Sequence, residues 1–120
     1  MHKFSADLPF PPSQNNLFSQ RRDGRRFIAD HYARWRKQAD LALMIARRAA
    51  PLGRGAAEVF IELRAPDRRK RDADNGQKAI LDSLVRMNVI EDDSNKIVRR
   101  IETRWSEGEP GATVVVTWGH

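Results

Sequence analysis

The sequence predicts an α+β fold in which helices pack against one mixed β-sheet, in the element order β-α-β-α-β-β. Short stretches that alternate apolar and polar residues lie before, between and after two stretches with helical spacing. The chain has 120 residues, 40% of them hydrophobic, which suits one domain over residues 1–120 with a modest core. Because so small a core buries little surface, a chain of this length gains stability by dimerising.

The first two predicted elements are a strand and a long helix. Phe4, Ala6 and Leu8 alternate with polar residues and predict a strand, which the prolines at positions 9, 11 and 12 end. Over residues 25–50 apolar side chains recur every three or four positions, which predicts a helix with a basic opposite face. The predicted buried face consists of Ile28, Tyr32, Trp35, Ala39, Ala42, Ala46 and Ala49.

The second half of the chain predicts three strands and one helix. Residues 58–63 alternate as a strand, and a charged loop over residues 65–74 leads to a helix over residues 75–87 that is buried through Ile80, Leu81 and Leu84. Asn88 suits the left-handed position that ends a helix. Residues 96–105 and 112–118 then indicate a strand pair, joined by the turn-forming residues 106–111.

The net charge of +6 indicates a polyanionic partner. It is polarised, since residues 20–54 contain ten Arg or Lys against three Asp. The absence of cysteine excludes disulfides and zinc–thiolate sites and is consistent with a reducing compartment. No signal-peptide core or membrane-length apolar stretch is visible, so we expect a cytoplasmic protein that does not contact membranes.

Acidic residues cluster within this basic protein. Asp72, Asp74, Asp92 and Asp93 lie close in sequence to Lys78. Clustered carboxylates repel one another, which suggests a bound cation, and a basic protein that holds a divalent cation is suited to phosphodiester chemistry. Oxygen ligands without histidine or cysteine favour Mg²⁺ or Mn²⁺ over zinc.

These acids also have ordinary structural interpretations. Asp74 or Asn75 could cap the second helix, and Lys78 could form a salt bridge with Asp74 or Asp82. The pair Asp92-Asp93 could belong to a plain turn. A shared metal site requires the loop after the second helix to return toward Asp72, and the sequence leaves that open.

The segment Arg71-Asp72-Ala73-Asp74-Asn75-Gly76-Gln77-Lys78-Ala79, followed by Asp82-Ser83-Leu84 and then Asp92-Asp93, resembles the RusA family of Holliday-junction resolvases. The opening Leu8-Pro9-Phe10-Pro11-Pro12-Ser13 is similar to the start of that family. The resemblance implies that Asp72, Asp74 and Asp93 are catalytic, Mg²⁺-binding aspartates, with Mn²⁺ as a possible substitute, and that Lys78 is a catalytic lysine. It also implies a homodimer that cuts four-way DNA junctions symmetrically in recombination and repair.

Basic residues beside the acids are candidates for DNA binding. Arg68, Arg69, Lys70 and Arg71 could hold the phosphates on each side of the scissile bond. Arg64 belongs to the same basic run, and weaker candidates are Arg21, Arg22, Arg25, Arg26, Arg99 and Arg100. Tyr32 and Trp35 fit the buried stripe of the first helix better than a base-stacking surface, while Trp105 and Trp118 suit a core or a dimer interface.

Two functions therefore compete. The first is a metal-dependent junction endonuclease, and the alternative is a non-catalytic basic DNA-binding module whose acids are caps and turn residues. The complete set Asp72, Asp74, Lys78 and Asp93 favours the enzyme, because a binding module has no need of acids that repel phosphate.

Overall fold

A four-stranded mixed sheet organises the chain. The computed structural model describes residues 2–13, 18–20, 24 and 26–119. The chain-ordered strands of this sheet are β1 (His2–Leu8), β4 (Ala57–Arg64), β5 (Val98–Trp105) and β6 (Gly111–Trp118). They lie in the spatial order β1-β6-β4-β5, where β6 runs antiparallel to both of its neighbours and β4 runs parallel to β5. The predicted α+β class with a mixed sheet is confirmed.

Two helices cover one face of this sheet. Helix α1 is Asp30–Ala49 and buries Tyr32, Trp35, Ala39 and Leu43. Helix α2 is Gln77–Arg86, preceded by a 3-10 helix over Ala73–Gly76, and it buries Ala79, Ile80, Ser83 and Leu84. Because Tyr32 and Trp35 are buried, the interpretation of both aromatic rings as core residues is confirmed.

The predicted start of the first helix is wrong. Residue 25 lies outside the described residues, but Arg26–Ile28 forms a strand, β3, that pairs antiparallel with β2 (Phe18–Gln20). Ile28, which we expected on the helical stripe, therefore pairs with Phe18. The observed order accordingly contains a small hairpin between the first strand and the first helix, which the predicted order omitted. Strands of three residues are too short to produce a recognisable alternation.

The predicted pairing of the last two strands is also wrong. β5 and β6 are consecutive in sequence, yet β4 lies between them. The chain leaves β4, forms α2 and returns as the parallel strand β5, which is the connection that parallel strands require. The loop after β5 then passes the end of β4, where the Nε group of Arg64 donates a hydrogen bond to the carbonyl oxygen of Glu109 at 2.9 Å.

The position of β6 explains its apolar sequence. Val114, Val116 and Trp118 point toward the helices and are at most 3% exposed. Of the two interpretations of Trp118, as a core residue or as part of a dimer interface, the first is confirmed, because all three side chains belong to the core of the protomer. Asn88 confirms its predicted left-handed conformation, with a φ of 59°.

In the described part of the chain, no helix is both long enough and apolar enough to cross a membrane.

Candidate active site

The segment that contains Asp72 and Asp74 lies at the ends of β4 and β5. Leu63 and Trp105 are neighbours there in the parallel register, and both line a groove of about 240 Å³. The same groove is lined by Asp72 and Gly76. Its remaining lining comes from the opening segment and from the basic loop after β4, namely Phe10, Pro11, Ser13, Arg69, Lys70 and Arg71.

Close packing fixes the backbone beside these acids. A Cβ atom added to Gly76 would lie 2.7 Å from Cγ of Pro11, so a larger residue there requires Pro11 to move. Gly76 is the N-cap residue of α2 and is buried. Nε2 of Gln77 donates a hydrogen bond to Oγ1 of Thr103 on β5 at 2.6 Å. This hydrogen bond and the contact between Gly76 and Pro11 hold the start of α2 against β5 and against the opening segment.

Helix capping does not account for Asp72 or Asp74. The N-cap residue of α2 is Gly76, so the expectation that Asp74 or Asn75 caps this helix is wrong. Asp72 occupies the N-cap position of the 3-10 helix with an extended backbone, but its side chain makes no capping hydrogen bond. Asp74 lies within the first turn of that helix rather than in an extended segment. Both carboxylates are exposed.

Most other acids near this site have a cationic partner. Asp67 accepts a hydrogen bond from Nη1 of Arg71 at 2.8 Å, and Asp82 lies 3.4 Å from Nζ of Lys78. Among the described residues, Asp72, Asp74 and Asp93 form no salt bridge of this kind. No cation in the described part of the chain therefore neutralises their negative charge.

Lys78 is placed beside Asp82, four residues along α2, and not beside Asp74. The two side chains are 47% and 32% exposed, so their ion pair is only partly shielded from water. Lys78 follows the first residue of α2 and lies near the 3-10 helix that contains Asp74. Its ammonium group can therefore be oriented by Asp82 while it remains accessible to solvent.

Asp92 and Asp93 lie at the opposite end of the sheet. The chain reaches them after α2 has returned to the start of β4, where the backbone amide of Gly55 donates a hydrogen bond to Glu91 at 2.9 Å. Val98, the first residue of β5, pairs with Ala57, the first residue of β4. Because Leu63 is six strand residues away from Ala57, the two ends of β4 lie roughly 20 Å apart, and the turn that contains Asp93 is at the end opposite the groove with Asp72.

The three aspartates predicted to bind a metal ion are not brought together among the described residues of one protomer. The oxygen-only donor set suits Mg²⁺ or Mn²⁺. Across residues 2–13, 18–20, 24 and 26–119, however, no three His, Asp or Glu side chains lie together as ligands for one ion. Asp72 and Asp74 lie on the same short segment, and Asp93 lies on the turn before β5.

Asp92 has a local structural role. The side chain of Ser94 donates a hydrogen bond to it, and with the backbone amide of Asp93 this lowers the pKa of Asp92 below its usual value of 3.8. Such bonds are typical of a turn built by an aspartate. The turn interpretation thus accounts for Asp92, whereas Asp93 is exposed in the same turn.

The basic loop is shaped by an acid that the sequence analysis did not single out. Asp67 accepts hydrogen bonds from the backbone amide of Arg69 at 2.9 Å and from the guanidinium of Arg71, and these bonds lower its pKa well below the usual value. Arg71 also stacks over the ring of Phe10 at 5.3 Å and has only 16% of its side chain exposed. It therefore anchors the loop, while Arg68, Arg69 and Lys70 are exposed.

The other arginines that were predicted to contact DNA lie in different parts of the chain. Arg21, Arg22 and Arg25 lie outside the described residues, as does the side chain of Arg26. Arg64 is held within the sheet by Glu62, Thr113 and the carbonyl of Glu109. Arg99 and Arg100 lie on β5, away from the loop, where Arg99 donates to the carbonyl of Asn95 at 2.7 Å.

A second groove, of about 500 Å³, lies on the other side of Phe10 and extends the basic surface. His31 and Arg34 on α1 line it together with Arg69 and Arg71. The sequence analysis missed Arg34 as a candidate phosphate contact. The available signal was its exposed position on the basic face of the predicted helix, beside the buried stripe that contains Trp35.

The sequence of this chain is similar to those of a known protein family. The family model described as Endodeoxyribonuclease RusA matches residues 9–117, which include every acid, lysine and loop residue discussed above. Several relatives are named Crossover junction endodeoxyribonuclease RusA. The relative from Escherichia coli (strain K12) is 33% identical over 108 residues, covering 84% of this chain and 82% of the relative. The relative from Shigella sonnei (strain Ss046) is 34% identical over the same coverage, and one from Enterobacteria phage HK97 is 32% identical over 94 residues, covering 78% and 76%.

Proposed function

Because the chain belongs to the RusA family of endodeoxyribonucleases, we propose that it cleaves four-way DNA junctions in recombination and repair. The observation that supports this most is an exposed carboxylate, Asp72, in a groove bordered by basic side chains, with the exposed Asp74 two residues further along the chain and neither acid in a salt bridge among the described residues. Acids at that position weaken simple DNA binding, since they repel phosphate. They are understandable if the groove performs chemistry on the phosphodiester.

The cleavage reaction is proposed to depend on Mg²⁺, or on Mn²⁺ as a substitute, held by Asp72, Asp74 and Asp93. When bound, such an ion supplies positive charge at the scissile phosphate and favours ionisation of the attacking water. The residues of the chain have complementary tasks. Asp72 and Asp74 supply negatively charged oxygens, and the contact between Gly76 and Pro11 keeps the backbone that presents them in place.

Cations around the groove position the substrate. Arg69 and Lys70 can neutralise phosphates on each side of the scissile bond, because both side chains are exposed and line the groove. Lys78, oriented by Asp82, can stabilise the charge that develops on the phosphate oxygens during hydrolysis. Arg71 contributes indirectly by fixing the loop against Phe10.

A four-way junction contains two equivalent strands to cut. A homodimer with two-fold symmetry presents two acid groups and can make paired symmetric nicks within one binding event. Each nick is proposed to leave a 5′-phosphate and a 3′-hydroxyl, as the family resemblance implies.

A non-catalytic DNA-binding module remains the second candidate, favoured by the separation of Asp93 from the other two acids within one protomer. In that case Asp72 and Asp74 would be structural, yet neither caps a helix through its side chain. One cleavage assay distinguishes the two candidate functions.

The assay incubates a synthetic, end-labelled four-way junction with the protein, with Mg²⁺ or with EDTA. We expect symmetric cleavage of the junction in Mg²⁺, no cleavage in EDTA, and little cleavage of a linear duplex of the same sequence. Tight junction binding without cleavage in Mg²⁺ or Mn²⁺ would contradict the enzymatic proposal and support the binding module.

A further inference from the structure

The two grooves beside the basic loop are continuous with each other. Both are lined by the same five residues, Phe10, Pro11, Ser13, Arg69 and Arg71. The first groove contains Asp72, whereas no carboxylate of the described residues lines the second. A DNA strand whose scissile phosphate lies beside Asp72 can therefore continue past Phe10 into a groove lined by neutral and basic side chains.

One wall of the second groove is a polar stripe on α1. His31, Arg34 and Gln38 are three and four residues apart, so they share one face of the helix, and all three are exposed. Arg34 forms no salt bridge with any residue that the structure describes. Its guanidinium can bind a phosphate, and the amide of Gln38 can both donate to and accept from the edge of a nucleobase.

A second wall of this groove is apolar and held in place. It consists mainly of Phe10 and of prolines, which have no N–H group to offer a ligand. Nε1 of Trp35 donates a hydrogen bond to the carbonyl oxygen of Pro9 at 2.9 Å, and the guanidinium of Arg71 lies over the ring of Phe10 at 5.3 Å. Because these contacts fix the opening segment against α1 and the basic loop, the groove needs little rearrangement to accept a ligand.

The two walls together match the surface of a nucleotide. A nucleobase has apolar faces and hydrogen-bonding edges, and its phosphate is an anion. The volume of the second groove, about 500 Å³, suits one such group rather than a duplex. Within a duplex the bases are stacked and paired, so their faces cannot reach Phe10 or the prolines. The chemistry that fits is therefore that of an unpaired nucleotide.

We propose that the second groove binds one unpaired nucleotide of the cleaved strand at the crossover of the junction. Arg34 holds its phosphate, and its base lies between Gln38 and the proline wall. A branch point offers such a nucleotide at a lower cost than a linear duplex, because stacking is already interrupted there. The groove therefore contributes to the choice of a branched substrate and not to the chemical step.

This inference rests on the proposed function for the identity of the substrate. Every measurement that tests it detects binding in EDTA, in which we expect no cleavage. The result for the groove is therefore obtained separately from the result for the nuclease.

The assignment is tested by comparing the affinities for a four-way junction and for a linear duplex of the same sequence. Arg34→Ala with Gln38→Ala should weaken junction binding about 10-fold or more and change duplex binding little, because a duplex offers no unpaired base. Arg48→Ala, at an exposed arginine in the last turn of the same helix, is the charge control and should leave the ratio of the two affinities unchanged. Equal losses for junction and duplex in the double variant would overturn the inference.

The two single variants separate the phosphate contact from the base contact. Arg34→Ala should flatten the slope of log junction affinity against log salt by roughly one unit, since one phosphate is no longer neutralised. Gln38→Ala removes no charge, so it should lower junction affinity without changing that slope. A slope that Arg34→Ala leaves unchanged would overturn the assignment of the phosphate to Arg34.

Disulfide trapping locates the base, with a clean background because the chain contains no cysteine. Gln38→Cys should form a disulfide with a base that carries a thiol tether, when that base is placed in turn at each position beside the crossover. Ala33→Cys is the control, an exposed residue on a different face of α1. Linkage at residue 33 that is as efficient as at residue 38, or no linkage at residue 38 for any position, would overturn the proposed site.

The outcomes separate this inference from the proposed function. Wild-type protein that cleaves junctions in Mg²⁺, although Gln38→Cys traps no base, would overturn the nucleotide site and leave the nuclease intact. Trapping of a crossover base by Gln38→Cys, together with wild-type protein that cleaves no junction, would contradict the nuclease and leave the nucleotide site intact.

Discussion

At the scale of single residues, Asp72 and Asp74 differ from most acids around them in having no cation beside them within the described residues. Asp67, Asp82 and Glu62 each lie in an ion pair, as expected for a strongly basic protein. Leaving two exposed carboxylates unpaired in such a protein costs electrostatic energy when DNA approaches. A divalent cation, if bound there as we propose, would offset that cost, and on this ground we assign these two acids to the reaction.

Replacing Asp74 should reduce DNA cleavage without weakening DNA binding. Asp74→Asn removes a charge and a strong metal ligand but preserves the size of the side chain. We expect single-turnover cleavage in Mg²⁺ to fall about 100-fold or more, while junction affinity in EDTA stays equal or improves. Asp30→Asn, at an exposed acid in the first turn of α1, is the control for the same charge change. Cleavage by Asp74→Asn at close to the wild-type rate would remove Asp74 from the site.

Variants of Lys78 and of its ion-pair partner Asp82 can distinguish a catalytic role of the lysine from a purely structural one. Its ion pair with Asp82 is partly exposed and contributes only a few tenths of a kcal/mol to stability. Lys78→Ala should therefore change the melting temperature little but lower the single-turnover cleavage rate. Asp82→Asn removes the same ion pair and keeps the lysine, so it should retain most of the activity. Equal losses in the two variants would show that the pair, and not the lysine alone, matters.

At the scale of elements, an ion pair between the helices connects the fold to the site. Nε and Nη2 of Arg86 on α2 donate to the two oxygens of Asp40 on α1, each at 2.8 Å, and Oγ of Ser83 donates to the same carboxylate at 2.6 Å. Burial alone would raise the pKa of Asp40, but these hydrogen bonds and the charges of Arg86 and Arg36 outweigh it and lower the pKa below 3.8. The pair holds α2, whose start lies beside the acids, against α1.

This arrangement predicts a pH-dependent stability. Because the pKa of Asp40 is lower in the folded than in the unfolded state, its ionised carboxylate stabilises the folded protein at pH values above the unfolded pKa of about 3.8. This stabilisation is lost as the pH falls through the folded pKa. Asp40→Asn should lower the free energy of unfolding at pH 7 by roughly 2 kcal/mol, since it leaves Arg86 without its charged partner. Urea unfolding measured down to pH 3 should show the difference from wild type shrinking below pH 3.8. A difference that is constant over this range would exclude the carboxylate as its source.

The basic loop is a second element with a measurable role. Arg69→Ala with Lys70→Ala removes two exposed cations, while Arg71, Asp67 and the backbone amide of residue 69 still maintain the loop. Junction affinity should fall, and the slope of log affinity against log salt should flatten by roughly one unit for each phosphate that the variant no longer neutralises. The control removes Arg47 and Arg48, which lie in the last turn of α1. An unchanged slope in the loop variant would place the DNA elsewhere.

The elements also show what the sequence can and cannot predict. Periodicity located β1, β4, α1 and α2 because each has one buried face over several residues. It could not place β6 between β1 and β4, because alternation reports which face is buried and not which strand is adjacent. The motif predicts Asp72, Asp74 and Asp93 as site residues, but their separation depends on the path of residues 87–97 around the sheet, which no local pattern encodes.

At the scale of the whole molecule, the proposed homodimer would contain two copies of the groove and of the basic loop. The two grooves and their basic loops then belong to one continuous particle, which suits a substrate with two equivalent strands. A monomer with one groove has no means of coordinating the second nick.

The measurement that tests the central claim most directly uses a supercoiled plasmid that extrudes a cruciform, incubated with the protein in Mg²⁺. Paired nicks made within one binding event convert the plasmid to linear molecules with ends mapped symmetrically at the cruciform base. We predict linear product from the earliest time points with wild-type protein and none with Asp74→Asn. Accumulation of singly nicked circles without symmetric linear product, or an equal rate on a plasmid lacking the cruciform, would contradict the account.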